Sequence, residues 1–247
     1  MGLFNHKTSP LEKGFFRGFC DCHCHILPGV DDGMKTLEKS LAALEYFASC
    51  GVAGATFTPH VMEGVHNTRE SLLKVFDEFK EGYALGIESN VLQIRLGAEY
   101  MLDNKFPSHL DEGLLTISNT IVLLETSYFQ APNNMEEMLY DVDSGDLIPA
   151  IAHPERYIYM GMKDYERLKE KDYYLQLNLL SLTGAYGEDA RSKAFDLLRR
   201  GMYDFVGTDV HHLTPFVQKL EKLRVDPAQM EALDKLKANN GKLFENK

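Results

Sequence analysis

The chain has 247 residues, of which 44% are apolar and 26% are charged, the composition of an ordinary soluble globular protein. Its length suits one large α/β domain, so we expect residues 1–247 to form a single domain. The formal net charge of −11 argues against a nucleic-acid-binding surface, which needs clustered Lys and Arg. It does not exclude an anionic substrate, because bound divalent cations can reverse the local sign.

Periodicity and turn residues predict alternating strands and helices along the chain. In chain order, the pattern predicts a strand over 19–25, a helix over 36–51, a strand over 52–58, a helix from Thr68, strands over 91–97 and 120–124, a helix over 135–140, strands over 147–152 and 173–179, a helix over 189–200, a strand over 203–207 and a terminal helix from Asp226. About seven strand–helix units predict a (β/α) barrel, and a doubly wound open sheet is the alternative.

Two pairs of potential metal ligands lie near opposite ends of the chain. His23 and His25 lie in the first predicted strand, and Asp209 and His211 follow the last one. Alternate side chains of an extended strand project from the same face, so each pair would point to one side. One site assembled by folding is therefore expected.

Further imidazoles and carboxylates follow the ends of other predicted strands. The full candidate set is His23, His25, the pair Asp31 and Asp32, His60, Glu99, Glu125, His153, Asp209 and His211. Their positions favour the barrel, because barrel active sites lie at the C-terminal ends of the strands. Such a set suits Mn²⁺, Zn²⁺ or Fe, and it suffices for two or three ions if carboxylates bridge. The set predicts a metalloenzyme; a non-catalytic metal-binding or partner-binding barrel would need an incomplete set.

The four cysteines match no zinc-ribbon spacing: Cys20, Cys22, Cys24 and Cys50. Three of them alternate with His23 and His25, so a regular pleat would turn them to the opposite face. Residues 1–18 lack the pattern of a secretory signal, and no apolar run approaches the length of a membrane span. We therefore expect a cytoplasmic chain with reduced thiols and no membrane insertion.

The order of the motifs resembles the PHP (polymerase and histidinol phosphatase) superfamily. Within that superfamily, residues 23–33 and the run His153-Pro154-Glu155-Arg156 are similar to the bacterial manganese-dependent protein-tyrosine phosphatases of capsule and exopolysaccharide biosynthesis. The resemblance implies a distorted (β/α)₇ TIM-like barrel with a trinuclear metal centre. Mn²⁺ is the expected metal, and Fe or Zn are alternatives.

The resemblance also implies a role for each residue. One ion would be held by His23, His25, Glu99 and Asp209, a second by Glu99, Glu125 and His153, and a third by Asp32, His60 and His211. Asp32 is preferred to Asp31 by its distance from His23, with one residue of latitude. The catalytic set would be Arg156, Asp209 and His211, with the planar fork of Arg156 on the phosphate oxygens.

Two departures from the family pattern concern the substrate pocket. His212 and the following residues 213–216 stand where the family often has an Asn and an Arg, so a second phosphate-binding arginine is missing from its expected place. His66 lies in a loop that follows the family only loosely. His66 and His212 are each open to interpretation as pocket residues or as surface and structural residues.

The implied activity is hydrolysis of phosphotyrosine by direct attack of an activated water. The implied partner is the phosphorylated tail of a membrane-anchored tyrosine autokinase that regulates polysaccharide export. The alternative is another PHP phosphatase that acts on a small phosphomonoester such as histidinol phosphate. The exonuclease branch of the superfamily fits poorly with the acidic composition, and the oligomeric state is left open.

Overall fold

A computed structural model describes residues 7–86 and 92–245, which form a mixed α/β fold of parallel strands and surrounding helices. Its strands are β1 (Cys20–Cys24), β2 (Gly54–Phe57), β3 (His60–Val61), β4 (Gln93–Leu96), β5 (Glu99–Met101), β6 (Ile121–Glu125), β7 (Ile148–Ala152), β8 (Tyr174–Asn178) and β9 (Phe205–Gly207). Its helices are α1 (Leu37–Cys50), α2 (Arg69–Gly86), α3 (Phe106–Glu112), α4 (Met135–Ser144), α5 (Met162–Glu170), α6 (Glu188–Arg199), α7 (Leu213–Leu220) and α8 (Pro227–Glu245).

Helix boundaries follow the capping residues of the sequence where those are strong. The Thr36 side chain accepts a hydrogen bond from the Lys39 amide, and Gly51 ends α1 in a left-handed conformation at φ 83°. Asp226 and Gln229 exchange hydrogen bonds at the start of α8. These predicted boundaries are confirmed. Residue 91, the start of one predicted strand, lies outside the described residues.

The strands form two parallel sheets. Two strands of the first sheet lead directly into two strands of the second, and each such pair forms one strand path. One sheet has the order β1-β2-β4, and the other has the order β3-β5-β6-β7-β8-β9. β3 continues the path of β2, and β5 continues that of β4, with the amide of Gly97 bonded to the Phe57 carbonyl and that of Glu99 to the Pro59 carbonyl between them. The predicted parallel α/β class is confirmed.

Strands β1 and β9 approach each other along a seam that α8 covers. At the C-terminal end of β1, Cys24 pairs with Val210 in an isolated parallel bridge. At the N-terminal end of β1, the Asn240 side chain donates to the carbonyls of Cys20 at 2.8 Å and Val206 at 2.6 Å, and it accepts from the Val206 amide. A buried amide thus links the backbones of β1 and β9 across the seam.

The cysteines of β1 do not share one face. The register of β1 against β2 shifts between Asp21 and Cys24. Cys22 packs in a cluster with Leu123 and Ala150, whereas Cys24 packs in the main core with Phe57. The expectation that a regular pleat places all three thiols on one face was wrong, because a shift in register interrupts the alternation of side chains between Asp21 and Cys24. No helix in the described part is long and apolar enough to cross a bilayer.

Candidate metal centre

Four side chains form the buried centre of the site at the C-terminal ends of β1 and β9 and the start of β5. The ligand atoms of His23, His25, Glu99 and Asp209 all lie within 4.8 Å of one another, and their side chains are at most 2% exposed. Glu99 Oε2 lies 3.2 Å from His23 Nε2 and 3.3 Å from His25 Nε2. The structure thus brings together the four residues that the family resemblance assigns to one ion.

Glu99 faces two parts of the site with its two oxygens. Its Oε1 lies 2.8 Å from His153 Nε2, whereas its Oε2 faces His23, His25 and His60. A carboxylate with this arrangement can bridge two cations. Glu125 lies on the same side, with Oε1 2.9 Å from His60 Nδ1 and Oε2 3.9 Å from His153 Nε2.

The third predicted group lies at the mouth of the site. Asp32 Oδ1 is 3.3 Å from His211 Nε2 and 3.6 Å from His60 Nε2. The side chains of Asp32, His60 and His211 are 71%, 14% and 25% exposed, so this group is the most accessible to solvent. His25 also belongs to this cluster of possible ligands.

The donor set fits divalent cations. Glu99 Oε2 and His60 Nδ1 are buried, and the close contacts of His60 Nδ1 with Glu99 Oε2 and with Glu125 Oε1 do not have the geometry of hydrogen bonds. Burial raises the pKa of Glu99. The imidazoles of His23 and His60 lower it by more than burial raises it, so the net pKa lies well below the usual range. Burial lowers the pKa of His60, yet the facing carboxylates raise its net pKa to about 10. A raised pKa means that the His60 ring holds a proton, whose positive charge faces the carboxylates. A bound cation would take the place of that proton as their partner.

The imidazoles are oriented by partners on their outer nitrogens. His23 Nδ1 lies 2.9 Å from Gln176 Oε1, and His211 Nδ1 lies 3.0 Å from the Asp209 carbonyl. Since those oxygens accept hydrogen bonds, the Nδ1 atoms carry protons and the Nε2 atoms are left for a metal. Gly207 permits this packing, because a Cβ there would lie 2.6 Å from the Cβ of His23.

Asp31 and Asp32 occupy different positions in the site. Asp31 Oδ2 lies 2.8 Å from His25 Nδ1 and accepts from the His60 amide, and Oδ1 accepts from the Gly33 amide. Burial raises the pKa of Asp31, but the His25 hydrogen bond lowers it more, to about 2. Asp31 therefore orients an imidazole from behind, while Asp32 faces the same space as the ring nitrogens of His60 and His211.

Asp31→Asn is expected to weaken metal binding about tenfold to a hundredfold, because the outer partner that orients His25 is lost while the Nε2 ligand remains. The measurement is the dissociation constant for a divalent cation, determined by titrating the metal-free protein, with Asp32→Asn compared in parallel. We expect Asp31→Asn still to bind the metal at saturating concentration. An unchanged dissociation constant in Asp31→Asn would contradict this role.

Gln176 and Asn178 support the site from β8, a strand to which the sequence analysis assigned no functional residue. Asn178 Nδ2 donates to Asp209 Oδ2 at 2.6 Å, and Gln176 contacts His23. Both side chains are fully buried. The available signal was the alternation of two polar residues within the otherwise apolar stretch Tyr-Leu-Gln-Leu-Asn, which places both on one face of the strand.

Arg156 lies beside the buried centre in the 3₁₀ turn that follows β7. Its Nη1 donates to Asp209 Oδ2 at 3.1 Å, and its guanidinium carbon lies 4.4 Å from the ring of Tyr128 and 4.1 Å from that of Tyr186. Burial lowers the pKa of Arg156, but Asp209 and its neighbours raise it overall. The planar cation is held rigidly between two aromatic faces.

A cavity of about 490 Å³ lies over these groups, and Arg156, Tyr128 and Tyr186 line it together with His211 and His212. His212 is thus a pocket residue. His66 is exposed and lines a second cavity of about 630 Å³, which shares Asp32 and His60 with the first.

Two site residues have a left-handed backbone, His153 at φ 35° and Asp209 at φ 50°. A non-glycine residue in this region costs of order 1–3 kcal/mol and persists where its surroundings hold it. The Asp209 amide donates to the His23 carbonyl at 2.8 Å, and the His153 carbonyl accepts from the Arg156 amide at 2.9 Å. Two of the four described non-glycine residues with a positive φ thus lie at the candidate centre, and the other two, Asp146 and Asp172, lie in turns.

Solved structures support the architecture. A chain from the crystal structures of YwqE from Bacillus subtilis and CpsB from Streptococcus pneumoniae, described as unique metal-dependent tyrosine phosphatases, superposes with a TM-score of 0.78 and 26% identity, covering 92% of this chain and 95% of that one. A phosphotriesterase homology protein from Escherichia coli has a TM-score of 0.51 and 12% identity, covering 92% and 98%, and is similar in fold alone.

Sequence comparison identifies relatives that are named tyrosine-protein phosphatases. The tyrosine-protein phosphatase CpsB of Streptococcus agalactiae is 30% identical over 217 residues, covering 82% of this chain and 88% of that protein. The tyrosine-protein phosphatase YwqE of Bacillus subtilis is 28% identical over 198 residues, covering 78% and 77%. The profile of one family, described as capsular polysaccharide synthesis, CpsB/CapC, matches residues 19–239. The resemblance inferred from the motifs is confirmed, and the chain belongs to the CpsB/CapC family.

Proposed function

We propose that this protein is a metal-dependent protein-tyrosine phosphatase. The observation that carries the proposal is the buried cluster of imidazoles and carboxylates beside a cavity that Arg156 and two tyrosines line. Relatives of this chain named tyrosine-protein phosphatases support the same activity. The implied reaction is hydrolysis of a phosphoric monoester.

The proposed ligand groups follow the family resemblance. His23, His25, Glu99 and Asp209 would hold one ion, Glu99, Glu125 and His153 a second, and Asp32, His60 and His211 a third. Mn²⁺ is the metal proposed from the family resemblance, with Fe or Zn as alternatives, and the imidazole-rich set disfavours Mg²⁺. When bound, such ions lower the pKa of a coordinated water and stabilise charge on phosphoryl oxygens.

The protein's own side chains would position the substrate. Arg156 presents a planar fork to the phosphate oxygens, and Asp209 fixes that fork through Oδ2. His211 Nε2 faces Asp32 at the mouth of the site, where the phosphoryl group would enter. Tyr128 and Tyr186 flank Arg156 and exclude water from the guanidinium faces, which strengthens its charge-assisted hydrogen bonds.

The finer architecture that we propose is a closed, distorted (β/α)₇ barrel of the PHP type within a single domain over residues 1–247. Seven parallel strand paths are obtained when β2 is joined to β3 and β4 to β5. The bridge between Cys24 and Val210 supports closure between the first and last paths. The seam at Asn240 accounts for the distortion.

The proposed substrate is the phosphorylated tyrosine tail of an autokinase that regulates capsule or exopolysaccharide production. The family description as capsular polysaccharide synthesis supports this assignment. A tyrosine kinase consumes ATP, which is available in the cytoplasm, so its phosphorylated tail lies on the cytoplasmic side of the membrane. We therefore propose the cytoplasm as the compartment of this protein.

The test compares two substrates on the Mn²⁺-loaded enzyme. We expect kcat/KM for a phosphotyrosyl peptide to exceed that for histidinol phosphate by at least about tenfold, a difference of about 1.4 kcal/mol in transition-state binding. The opposite ratio would assign the enzyme to small phosphomonoesters. Absence of turnover on both substrates would refute the proposal.

Arg156→Ala is expected to lower kcat/KM for the phosphotyrosyl peptide about tenfold to a hundredfold, because a charge-assisted contact of about 1.5–3 kcal/mol is lost. Metal content, measured by mass spectrometry, should remain near that of the wild type, whereas His153→Ala should lose metal as well. Arg156→Lys should rescue only partly, since an ammonium cannot reproduce the fork. Full activity in Arg156→Ala would show that phosphate is held elsewhere.

A further inference from the structure

Among the described residues, one arginine and one lysine line the cavity over the candidate metal centre. Arg156 comes from the turn after β7, and Lys219 comes from α7. Both approach the ring of Tyr186, whose centre lies 4.1 Å from the guanidinium carbon of Arg156 and 5.8 Å from Lys219 Nζ. The two cations therefore lie beside the same tyrosine ring in one cavity.

The two cations differ in whether a carboxylate of the protein pairs with them. Arg156 is paired with Asp209 at 3.1 Å, and its side chain is only 16% exposed. Lys219 is half-buried and makes no ion pair with a carboxylate within the described part of the chain. Part of the Arg156 charge is thus already compensated within the protein, whereas the ammonium of Lys219 is available to a ligand.

Helical spacing explains why Lys219 faces the cavity. Phe216 lies one turn earlier in α7, is 2% exposed and also lines the cavity. Residues three apart share a helix face, so Lys219 lies next to Phe216 on the cavity side. Phe216 packs against Phe47 of α1, with ring centres 6.3 Å apart, and this contact anchors the helix in its orientation.

We propose that Lys219 supplies the second side-chain cation that contacts the phosphoryl group, from the same cavity as Arg156. This inference rests on the proposed phosphatase function. A phosphomonoester carries close to two negative charges at neutral pH, which the proposed ions, the guanidinium shared with Asp209 and the ammonium of Lys219 would compensate together. Lys219 contributes a mobile point charge, which complements the rigid fork of Arg156.

The experiment compares Lys219→Gln and Lys219→Arg with the wild type, all loaded with Mn²⁺. The substrates are p-nitrophenyl phosphate and phosphotyrosyl peptides with neutral or acidic flanks, and inorganic phosphate is the competitive inhibitor. For Lys219→Gln we expect KM to rise about threefold to tenfold with every substrate, because the contact is partly exposed. The phosphate inhibition constant should rise by the same factor, while Lys219→Arg stays within about twofold of the wild type.

Lys222→Gln is the matched control, since Lys222 is exposed beyond the end of α7 and its loss changes the net charge equally. Its KM and inhibition constant should stay within about twofold of the wild type if the contact is local. An unchanged phosphate inhibition constant in Lys219→Gln would overturn the inference, and so would loss of metal.

An effect confined to peptides with acidic flanks would also overturn it, because Lys219 would then contact the peptide chain. Phosphate binding by calorimetry tests Lys219 even if the wild type fails to hydrolyse phosphotyrosine. The failure of the inference is therefore distinguishable from that of the proposed function.

Discussion

Glu99→Gln is expected to lower kcat/KM about a thousandfold or more, equivalent to about 4 kcal/mol of lost transition-state stabilisation. Glu99 Oε2 faces three imidazoles, and Oε1 faces His153, so the proposed bridging role involves both oxygens. A neutral amide has one oxygen acceptor and an NH₂ group that cannot bind a cation. Metal content measured by mass spectrometry should fall together with activity.

The control for Glu99→Gln is Glu137→Gln, an exposed carboxylate on α4 that should leave metal content and kcat/KM unchanged. Circular dichroism of Glu99→Gln should match that of the wild type, because the substitution keeps the size and shape of the side chain. If Glu99→Gln kept more than about a tenth of the activity together with its metal, the bridging role would be wrong.

Prolonged dialysis against excess chelator is expected to abolish phosphatase activity, and Mn²⁺ should restore it better than Mg²⁺. The donors of the candidate centre are five imidazoles and four carboxylates: His23, His25, His60, His153, His211, Asp32, Glu99, Glu125 and Asp209. Mg²⁺ prefers oxygen ligands and retains its waters, whereas Mn²⁺ accepts imidazole more readily.

Thermal unfolding provides a second measurement of metal binding that does not depend on turnover. A ligand that binds only the native state at a hundred times its Kd stabilises the protein by about 2.7 kcal/mol. The chelated protein should therefore have a lower Tm, and Mn²⁺ should raise it again. Turnover that persists undiminished after dialysis against chelator would exclude a metal mechanism for this enzyme.

Local features of the fold were predictable because they depend on residues that are neighbours in the chain. Thr36 and Gly51 bound α1, and Asp226 with Gln229 begins α8. Capping involves residues within one turn, so the pattern alone indicates it. The short helices α3, α5 and α7 were not predicted, because helices of 7 to 9 residues depend on tertiary packing for most of their stability.

The residue types of the candidate centre were also predictable, since imidazole and carboxylate after successive strand ends indicate a metal site. The family resemblance assigned each residue to an ion and preferred Asp32 to Asp31, but the sequence did not predict the contacts that distinguish these two residues. Asp31 and Asp32 are adjacent and chemically identical, and only their contacts with His25 and His211 distinguish them. The bulge in β1 likewise separates Cys22 from Cys24, although strict alternation places them together.

The sequence by itself determined the alternation of strands and helices, the caps, the set of candidate ligands and the family. The tertiary structure alone decided that Glu99 faces two groups of candidate ligands, that Gln176 contacts His23 and that Lys219 lines the same cavity as Arg156. Gln176 and His23 are 153 residues apart. Contacts of this kind arise from the packing of whole elements, and the periodicity of one segment carries no information about its neighbours in space.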